Sequence, residues 1–238
     1  TLGVADSFVL GLVSYATHTN QSWPFVTLPD FGKRLAKIRP LAKGTVVSVY
    51  PLVTLEQREL WQNYSLQHDD WVQEGIDLQA NDTRYHGKIV SEYETNGAIH
   101  NNQGPSEGPG PFLPTWQSAP IVPIYAPYNW DGADYDALAT ALPDLLESKR
   151  VVISKAFNLP DLDNPVLIAD AETMIDWIKD YISPDDDPTE PASDMFYPII
   201  ADVDHDGYTS GEVVGIFSIS FFSREFIENI LPHGSDGI

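Results

Sequence analysis

The sequence predicts an α+β domain in which a long N-terminal helix precedes an antiparallel sheet flanked by further helices. Apolar residues recur at helical spacing at the start of the chain and in several later segments. Short runs rich in β-branched and aromatic residues, which favour strands, alternate with those segments. The chain has 238 residues, enough for one large domain or two small subdomains around one core.

Residues 2–17 predict an amphipathic helix. Five small or apolar side chains fall on one helical face: Leu2, Ala5, Val9, Leu12 and Ala16. The same pattern indicates that the helix begins before residue 1. Since no signal peptide precedes it, we expect this chain to be a piece of a longer protein.

Residues 23–64 predict a helix, a buried strand and a second helix in succession. Residues 31–42 hold an apolar stripe at helical spacing, and Gly44 ends that helix. Residues 45–53 are rich in β-branched side chains and predict a buried strand. Thr54 and Gln57 have the spacing of a capping box, which predicts a new helix. That helix carries Leu60, Trp61 and Tyr64.

The middle of the chain is rich in turn residues. A polar stretch after residue 64 is expected to pack through three apolar side chains, Trp71, Ile76 and Leu78. Residues 89–93 predict a short strand. Prolines exclude a helix from residues 101–127, and their second half, residues 115–125, predicts an extended strand with edge prolines.

The second half of the chain predicts three helices and three strands. The helices are expected at residues 134–150, with a kink or break at Pro143, at 169–182 and at 223–231. The strands are expected at residues 151–154, 195–200 and 212–220.

Residues 202–207 join the last two predicted strands and begin like a calcium-binding loop. Aspartates stand at every second position, and Gly207 is sixth. The twelfth position is Val213, where an EF-hand needs a bidentate Glu, and the flanks predict strands where an EF-hand has helices. We therefore expect a β-hairpin turn, with weak Ca²⁺ binding as the alternative.

The composition excludes several function classes. With 35 acidic against 13 basic residues, the formal net charge of -22 repels nucleic acid and anionic membranes, so we expect no nucleic-acid partner. The chain has no cysteine, which excludes disulfides, thiolate metal sites and a cysteine nucleophile. No apolar run reaches the roughly 18 residues of a membrane span. A membrane is expected only through flanking segments outside this chain.

Two features favour an exported chain without catalytic machinery of its own. Three glycosylation sequons occur, Asn20-Gln-Ser22, Asn63-Tyr-Ser65 and Asn81-Asp-Thr83. Residues 23–64 hold no Gly-rich phosphate loop, no nucleophile elbow and no metal-ligand spacing. We therefore expect no catalytic residue, no metal site and no cofactor in this chain.

Five blocks of sequence carry a resemblance to a known family. They are WPFVTLPDF at 23–31, VVSVYPLVTLEQRELWQNYS at 46–65, LPTWQSAPIVPIYAPYNW at 113–130, YPII at 197–200 and VVGIFSISFFSREFIENILPHGSDGI at 213–238. The blocks resemble the extracellular region of diatom-type receptor guanylate cyclases, and the similarity covers almost the whole chain. More loosely, the order of elements is similar to that of CHASE and Cache sensors, which have a long N-terminal helix and PAS-like α/β subdomains.

This resemblance implies a sensor on the extracellular side of a membrane, coupled to cyclic GMP synthesis in the cytoplasm. Residues 1–22 would form a stalk-like helix, with an ordinary first helix as the alternative. Residues 23–238 would form a PAS-like sensor domain, undivided or split into membrane-distal and membrane-proximal subdomains. The metal-binding aspartates of the cyclase belong to a separate domain, so this chain is not expected to be an enzyme. The full-length receptor is expected to be a homodimer.

A PAS-like sheet holds a small-molecule pocket on one face, lined by apolar residues and a few polar groups. The candidate lining residues are Tyr50, Arg58, Trp116, Tyr125 and Phe217. Arg58 is a candidate because positive charge is scarce here and an arginine binds a carboxylate with two hydrogen bonds. Pairing of Arg58 with Glu56 or Glu59 on the helix surface is the alternative. The ligand itself is not identified by the sequence.

Two other functions stay open from the sequence. One is an interaction ectodomain that binds no ligand and dimerises through its first helix. The other is a secreted hydrolase, which needs two carboxylates facing each other about 5 to 10 Å apart in a cleft. With 35 acidic residues, suitable pairs arise easily by chance.

Overall fold

The computed structural model describes residues 2–42, 44–80, 97–101, 104–121, 128–157, 191–204 and 208–223. These residues form an α+β fold with an antiparallel sheet of five strands and, within the described ranges, five α-helices. The predicted fold class is confirmed at this level. The strand predicted at 89–93, the helix at 169–182 and all but the first residue of the helix at 223–231 lie outside the described residues.

Four of the described helices and the three longest strands correspond to elements predicted from the sequence. The helix at residues 70–80 was not predicted, and the described part of the strand predicted at 115–125 contains only one strand of two residues, 118 and 119. The helices are α1 (Leu2–His18), α2 (Phe31–Ala42), α3 (Arg58–Gln67), α4 (Asp70–Ala80) and α5 (Asp136–Ser148). The main sheet contains β1 (Val46–Pro51), β4 (Ser118–Ala119), β5 (Val152–Ile153), β6 (Ala192–Ile200) and β7 (Val213–Phe222). A separate two-stranded sheet pairs β2 (His100–Asn101) with β3 (Gly104–Pro105). A 3₁₀ turn, Gly132–Asp134, precedes α5.

The strands of the main sheet run in the order β4-β1-β7-β6-β5, and every neighbouring pair is antiparallel. If only the five strands of this sheet are numbered along the chain, the order is 2-1-5-4-3. β7 lies at the centre, where it pairs with β1 from Ser220 opposite Val46 to Gly215 opposite Pro51. On its other side it pairs with β6 over the whole length of that strand. The last strand of the sheet therefore holds the first one in place.

One face of the sheet, called here the apolar face, packs against α1 and α2. Strand side chains alternate between the two faces. On this side Val49, Phe217 and Ile219 meet apolar residues of the two helices in one buried cluster. The rings of Phe8 and Phe217 lie 4.8 Å apart. α1 is therefore packed onto the sheet along its apolar side, and its role as a stalk stays a prediction.

The opposite face, called here the polar face, packs against α5. Leu138 and Leu145 of that helix contact Tyr50, Phe196 and Ile216 of the sheet in a second buried cluster. The helix predicted at 134–150 is confirmed, and it runs through Pro143.

A third cluster joins α3 and α4 to residues 112–121 and to Tyr128. Its largest members are four buried aromatic side chains, Trp61, Trp71, Trp116 and Tyr128. The predicted pair forms both hydrogen bonds of a capping box: the Thr54 N–H donates to Gln57 Oε1 at 3.1 Å, and the Gln57 N–H donates to Thr54 Oγ1 at 3.3 Å. The bonds close a turn before the helix, because α3 begins at Arg58 with Gln57 as its N-cap. The polar stretch expected after residue 64 contains a helix, α4, which buries Trp71, Val72, Gly75 and Gln79.

The connection between β6 and β7 is a hairpin, as predicted. The Ala201 N–H donates to the Glu212 carbonyl at 2.9 Å, and the Gly211 N–H donates back to the Ala201 carbonyl at 2.8 Å. Residues 205–207 lie outside the described ranges. Among the described residues, no three or more His, Asp or Glu side chains gather where they could hold a metal ion. No helix in those ranges is both long and apolar enough to cross a bilayer.

Candidate functional site

The polar face carries a row of three buried serine side chains. Ser118, Ser48 and Ser218 stand directly opposite one another on β4, β1 and β7. Residues paired in this way point to the same face of a sheet. The Ser48 and Ser118 hydroxyl groups are hydrogen-bonded at 2.8 Å. This hydroxyl row crosses the middle of a face that is otherwise packed by leucines and aromatic rings.

Next to the hydroxyl row lies a buried carboxylate, Asp194 of β6, which is only 2% exposed. It pairs with Ser220 of β7 and therefore points to the polar face. The Ser220 hydroxyl donates to Asp194 Oδ1 at 2.5 Å, and the Tyr135 hydroxyl donates to Oδ2. The backbone of β6 is also held at this position, because the Asp194 N–H donates to Ser154 Oγ at 2.9 Å.

The charge of Asp194 is not balanced by any cation in the described part of the chain. The ion pairs found there involve only Lys33, with Asp30 and Glu74. Burial raises the pKa of Asp194, and the hydrogen bonds from Ser220 and Tyr135 counteract only part of that shift. A carboxylate has about four lone-pair positions, so two hydrogen bonds leave it further acceptor capacity.

Two tyrosines connect Asp194 to the hydroxyl row. Burial, and then the Asp194 charge, raise the pKa of Tyr135 far above its usual value. Burial raises the pKa of Tyr50 to about 12, with Asp194 adding to the shift and the hydroxyls of Ser218, Thr115 and Ser48 opposing it. Both phenols therefore stay protonated at neutral pH, and Tyr135 donates its proton to Asp194. We call Asp194, Ser220, Tyr135, Tyr50 and the hydroxyl row the polar face cluster.

The chain just before α5 positions Tyr135 over the sheet. Asp131 Oδ1 accepts hydrogen bonds from the N–H groups of Leu113, at 3.0 Å, and Ala133, at 3.1 Å, which fixes the turn. Gly132 lies against Tyr50, because a Cβ atom at this position would be only 2.9 Å from the Tyr50 ring. A side chain at position 132 would push this segment away from the sheet.

The structure separates the ligand-binding residues proposed from the sequence. Tyr50 belongs to the polar face cluster, whereas Phe217 points to the apolar face, where it contacts Phe8. Trp116 lies in the aromatic cluster beside the sheet. Tyr125 lies outside the described residues. Tyr50 and Phe217 therefore do not line one pocket.

Arg58 is engaged by neighbours of its own cluster. Its guanidinium lies 4.7 Å above the centre of the Phe112 ring, and Nη2 donates to the Ile99 carbonyl at 3.5 Å. In the described ranges it forms no ion pair with Glu56 or Glu59. Trp116 is held in a similar way, since its indole N–H donates to the Val26 carbonyl at 3.0 Å.

Sequence reasoning missed Asp194 and Tyr135. The last strand but one was expected to begin at residue 195, whereas β6 begins at Ala192 and includes Asp194. Aspartate is disfavoured in strands, so propensity alone does not extend the strand to Asp194. The signal that identifies it is the strand alternation, because Asp194 is in phase with the inward-facing Phe196.

No protein-family model matches this chain, and a comparison with curated protein sequences finds no match.

Proposed function

We propose that this chain is the ligand-sensing, extracellular domain of a receptor nucleotide cyclase, and that the ligand binds at the polar face cluster. The observation that carries the ligand-binding part is Asp194, a buried carboxylate without a cationic partner among the described residues. The antiparallel sheet with helices on both faces supports a PAS-like domain. The link to a cyclase rests on the sequence resemblance.

The chemistry of the cluster favours a ligand that carries a protonated amine. Burying an ionised carboxylate without a counter-charge is unfavourable, and such groups gather at functional sites. An ammonium group would supply the missing positive charge and donate to the free acceptor positions of Asp194. Tyr50 and the hydroxyl row, on the same face, would bind the polar remainder of the ligand.

The sheet offers a direct connection between the two faces. Asp194 on the polar face is followed by Met195, which is buried in the cluster under α1 and α2. A ligand that moves Asp194 therefore moves side chains that support the N-terminal helix. This coupling is the physical basis on which we propose signalling from the polar face cluster to α1.

A thermal-shift assay tests the proposal with a panel of amino acids, polyamines, organic acids and the N-acetylated forms of the amines. We expect an amine to raise the unfolding midpoint, because a ligand at 100 times its Kd stabilises the native state by about 2.7 kcal/mol. Asp194→Asn should abolish that shift. Asp144→Asn is the matched control, since it removes the same charge from an exposed position of α5.

Two results would contradict the proposal. In one, none of the amines binds. In the other, an amine and its N-acetylated form shift wild type and Asp194→Asn equally.

A further inference from the structure

Helix α3 exposes leucines around a glycosylation sequon. Leu60 is 62% exposed and Leu66 is 50% exposed. Asn63, the acceptor residue of the sequon Asn63-Tyr-Ser65, is exposed between them. Residues three apart on a helix are neighbours about 5 to 6 Å apart, so each leucine lies beside the asparagine. We call these three residues the α3 patch.

The leucines cannot be buried by rotating α3, because its inner side is fixed by a buried polar network. The Trp61 indole N–H donates to Asn129 Oδ1 at 2.9 Å, and Asn129 Nδ2 donates to Ser65 Oγ at 2.8 Å. Rotation would break these bonds and leave buried polar groups unsatisfied. The α3 patch therefore faces outward in the folded domain, and anything that covers it must come from outside α3.

We propose that Asn63 carries an N-linked oligosaccharide and that this glycan covers Leu60 and Leu66. The inference rests on the proposed function, because only an exported chain meets the glycosylating enzyme. The Asn63 amide nitrogen loses one proton and bonds to the anomeric carbon of a lipid-pyrophosphate-linked oligosaccharide, whose lipid pyrophosphate leaves. The glycan is bulky and solubilising, and the C–H faces of its first sugars would lie over the leucine side chains.

The burial of Ser65 indicates that glycosylation precedes folding of this segment. This hydroxyl-bearing member of the sequon is fully buried in the folded domain, where it accepts from Asn129 and donates to the Gln62 carbonyl at 3.0 Å. The enzyme must therefore act while the segment is still unfolded during export. The glycan then stays outside because Asn63 itself points to solvent.

A second sequon supplies an internal comparison. Asn20 is exposed in the turn after α1 with φ +56°, beside a cleft whose lining includes Thr17, Asp202 and Asp204. The same lining includes apolar side chains, of which Ala16, Trp23 and Ala201 are buried and Val203 is exposed. Loss of a glycan at Asn20 should therefore uncover less apolar surface than loss of one at Asn63, which lies beside two exposed leucines. Asn20→Gln is therefore the matched control for Asn63→Gln.

The experiment expresses the chain behind a heterologous signal sequence in a eukaryotic secretory host. Glycopeptide mass spectrometry should find a glycan on Asn63. Fluorescence of a hydrophobic dye should rise at least about twofold in Asn63→Gln, which exposes the patch, and should rise less in Asn20→Gln. Adding Leu60→Gln and Leu66→Gln to Asn63→Gln should return the signal to the wild-type level.

An unoccupied Asn63 in secreted, folded protein would overturn the inference. So would a glycosylated wild type that still dimerises through Leu60 and Leu66, since the patch would then be a protein interface. Because the host enforces export, these results leave the proposed function intact. Finding the native protein in the cytosol would count against the proposed function instead.

Discussion

The two faces of the sheet are built from the same strands but bury different chemistry. The apolar face joins α1 and α2 to the sheet almost entirely through hydrocarbon and aromatic side chains. The polar face places Asp194, two tyrosine hydroxyls and a row of serines beside the leucines of α5. Hydrocarbon burial provides the main stabilisation of folded proteins. Buried polar groups add little net stability, so their presence on one face points to binding.

The largest effect should come from the apolar face. Phe217→Ala removes a ring that is 0% exposed and packs against Phe8, and such truncations cost about 3 to 5 kcal/mol. Urea unfolding should show this loss with an unchanged dependence on denaturant. A loss below about 1 kcal/mol would mean that α1 contributes little to this face.

The polar face should respond less. Tyr135→Phe deletes one of the two hydroxyl groups that donate to Asp194, and a hydrogen bond to a charged group contributes about 1.5 to 3 kcal/mol. Urea unfolding at pH 7 should show a loss in this range. Tyr15→Phe is the control, because that hydroxyl has only a 3.5 Å contact with Gln21. Equal losses in the two variants would argue against a special role for Tyr135.

The pH dependence of stability distinguishes the polar face from the apolar face, because Asp194 lies on the polar face. The pKa of Asp194 is raised in the folded state, so the folded protein binds this proton at a higher pH than the unfolded chain does. The resulting stabilisation is fully present below the unfolded pKa of about 3.9 and is lost as pH rises through the folded pKa.

Thermal unfolding of wild type and Asp194→Asn between pH 7 and pH 4 measures this term. Wild type should gain stability relative to the variant as the pH falls. A stability difference between the two proteins that does not change with pH would contradict the raised pKa of Asp194. So would a gain in stability of the variant relative to wild type as the pH falls.

The smallest effect should be at Arg58, which touches neither face. Its contact with Phe112 is a cation–π interaction, and partly exposed examples contribute about 0.5 to 1 kcal/mol. Arg58→Met keeps most of the aliphatic stem and should cost no more than this in urea unfolding. It should also leave any amine-induced thermal shift unchanged. A lost shift would place Arg58 in the binding site and contradict the assignment to the polar face.

The elements were predictable where local signals were strong. The β-branched run at 45–53 predicts β1. The Thr54–Gln57 pair predicts the turn that leads into α3. α4 was missed as a helix because Gly75 and Gln79 interrupt its apolar stripe, although both are buried in the structure. Gly75 lies so close to Ile121 that a Cβ atom there would be 2.4 Å from its side chain.

The candidate site was harder to predict than the elements. Whether Tyr50 and Phe217 share a face depends on the register between β1 and β7, and a slip of one residue reverses the answer. Residues 50 and 217 are far apart in the chain, so no local pattern fixes that register. Asp194 belongs to the site because β6 begins at Ala192 and therefore includes it.

The central position of β7 has a consequence for how the chain is made. β1 leaves the ribosome about 170 residues before β7, its principal partner. β6 also lacks most of its hydrogen-bonding partners until β7 is made. Before that point it can pair only with β5, through two residue pairs. The sheet therefore closes only after β7 has been made, through contacts of high sequence separation that are slow to form. Until then, the unpaired edges of β1 and β6 are open to association with other chains, and a chaperone that holds them apart should improve the yield of folded protein.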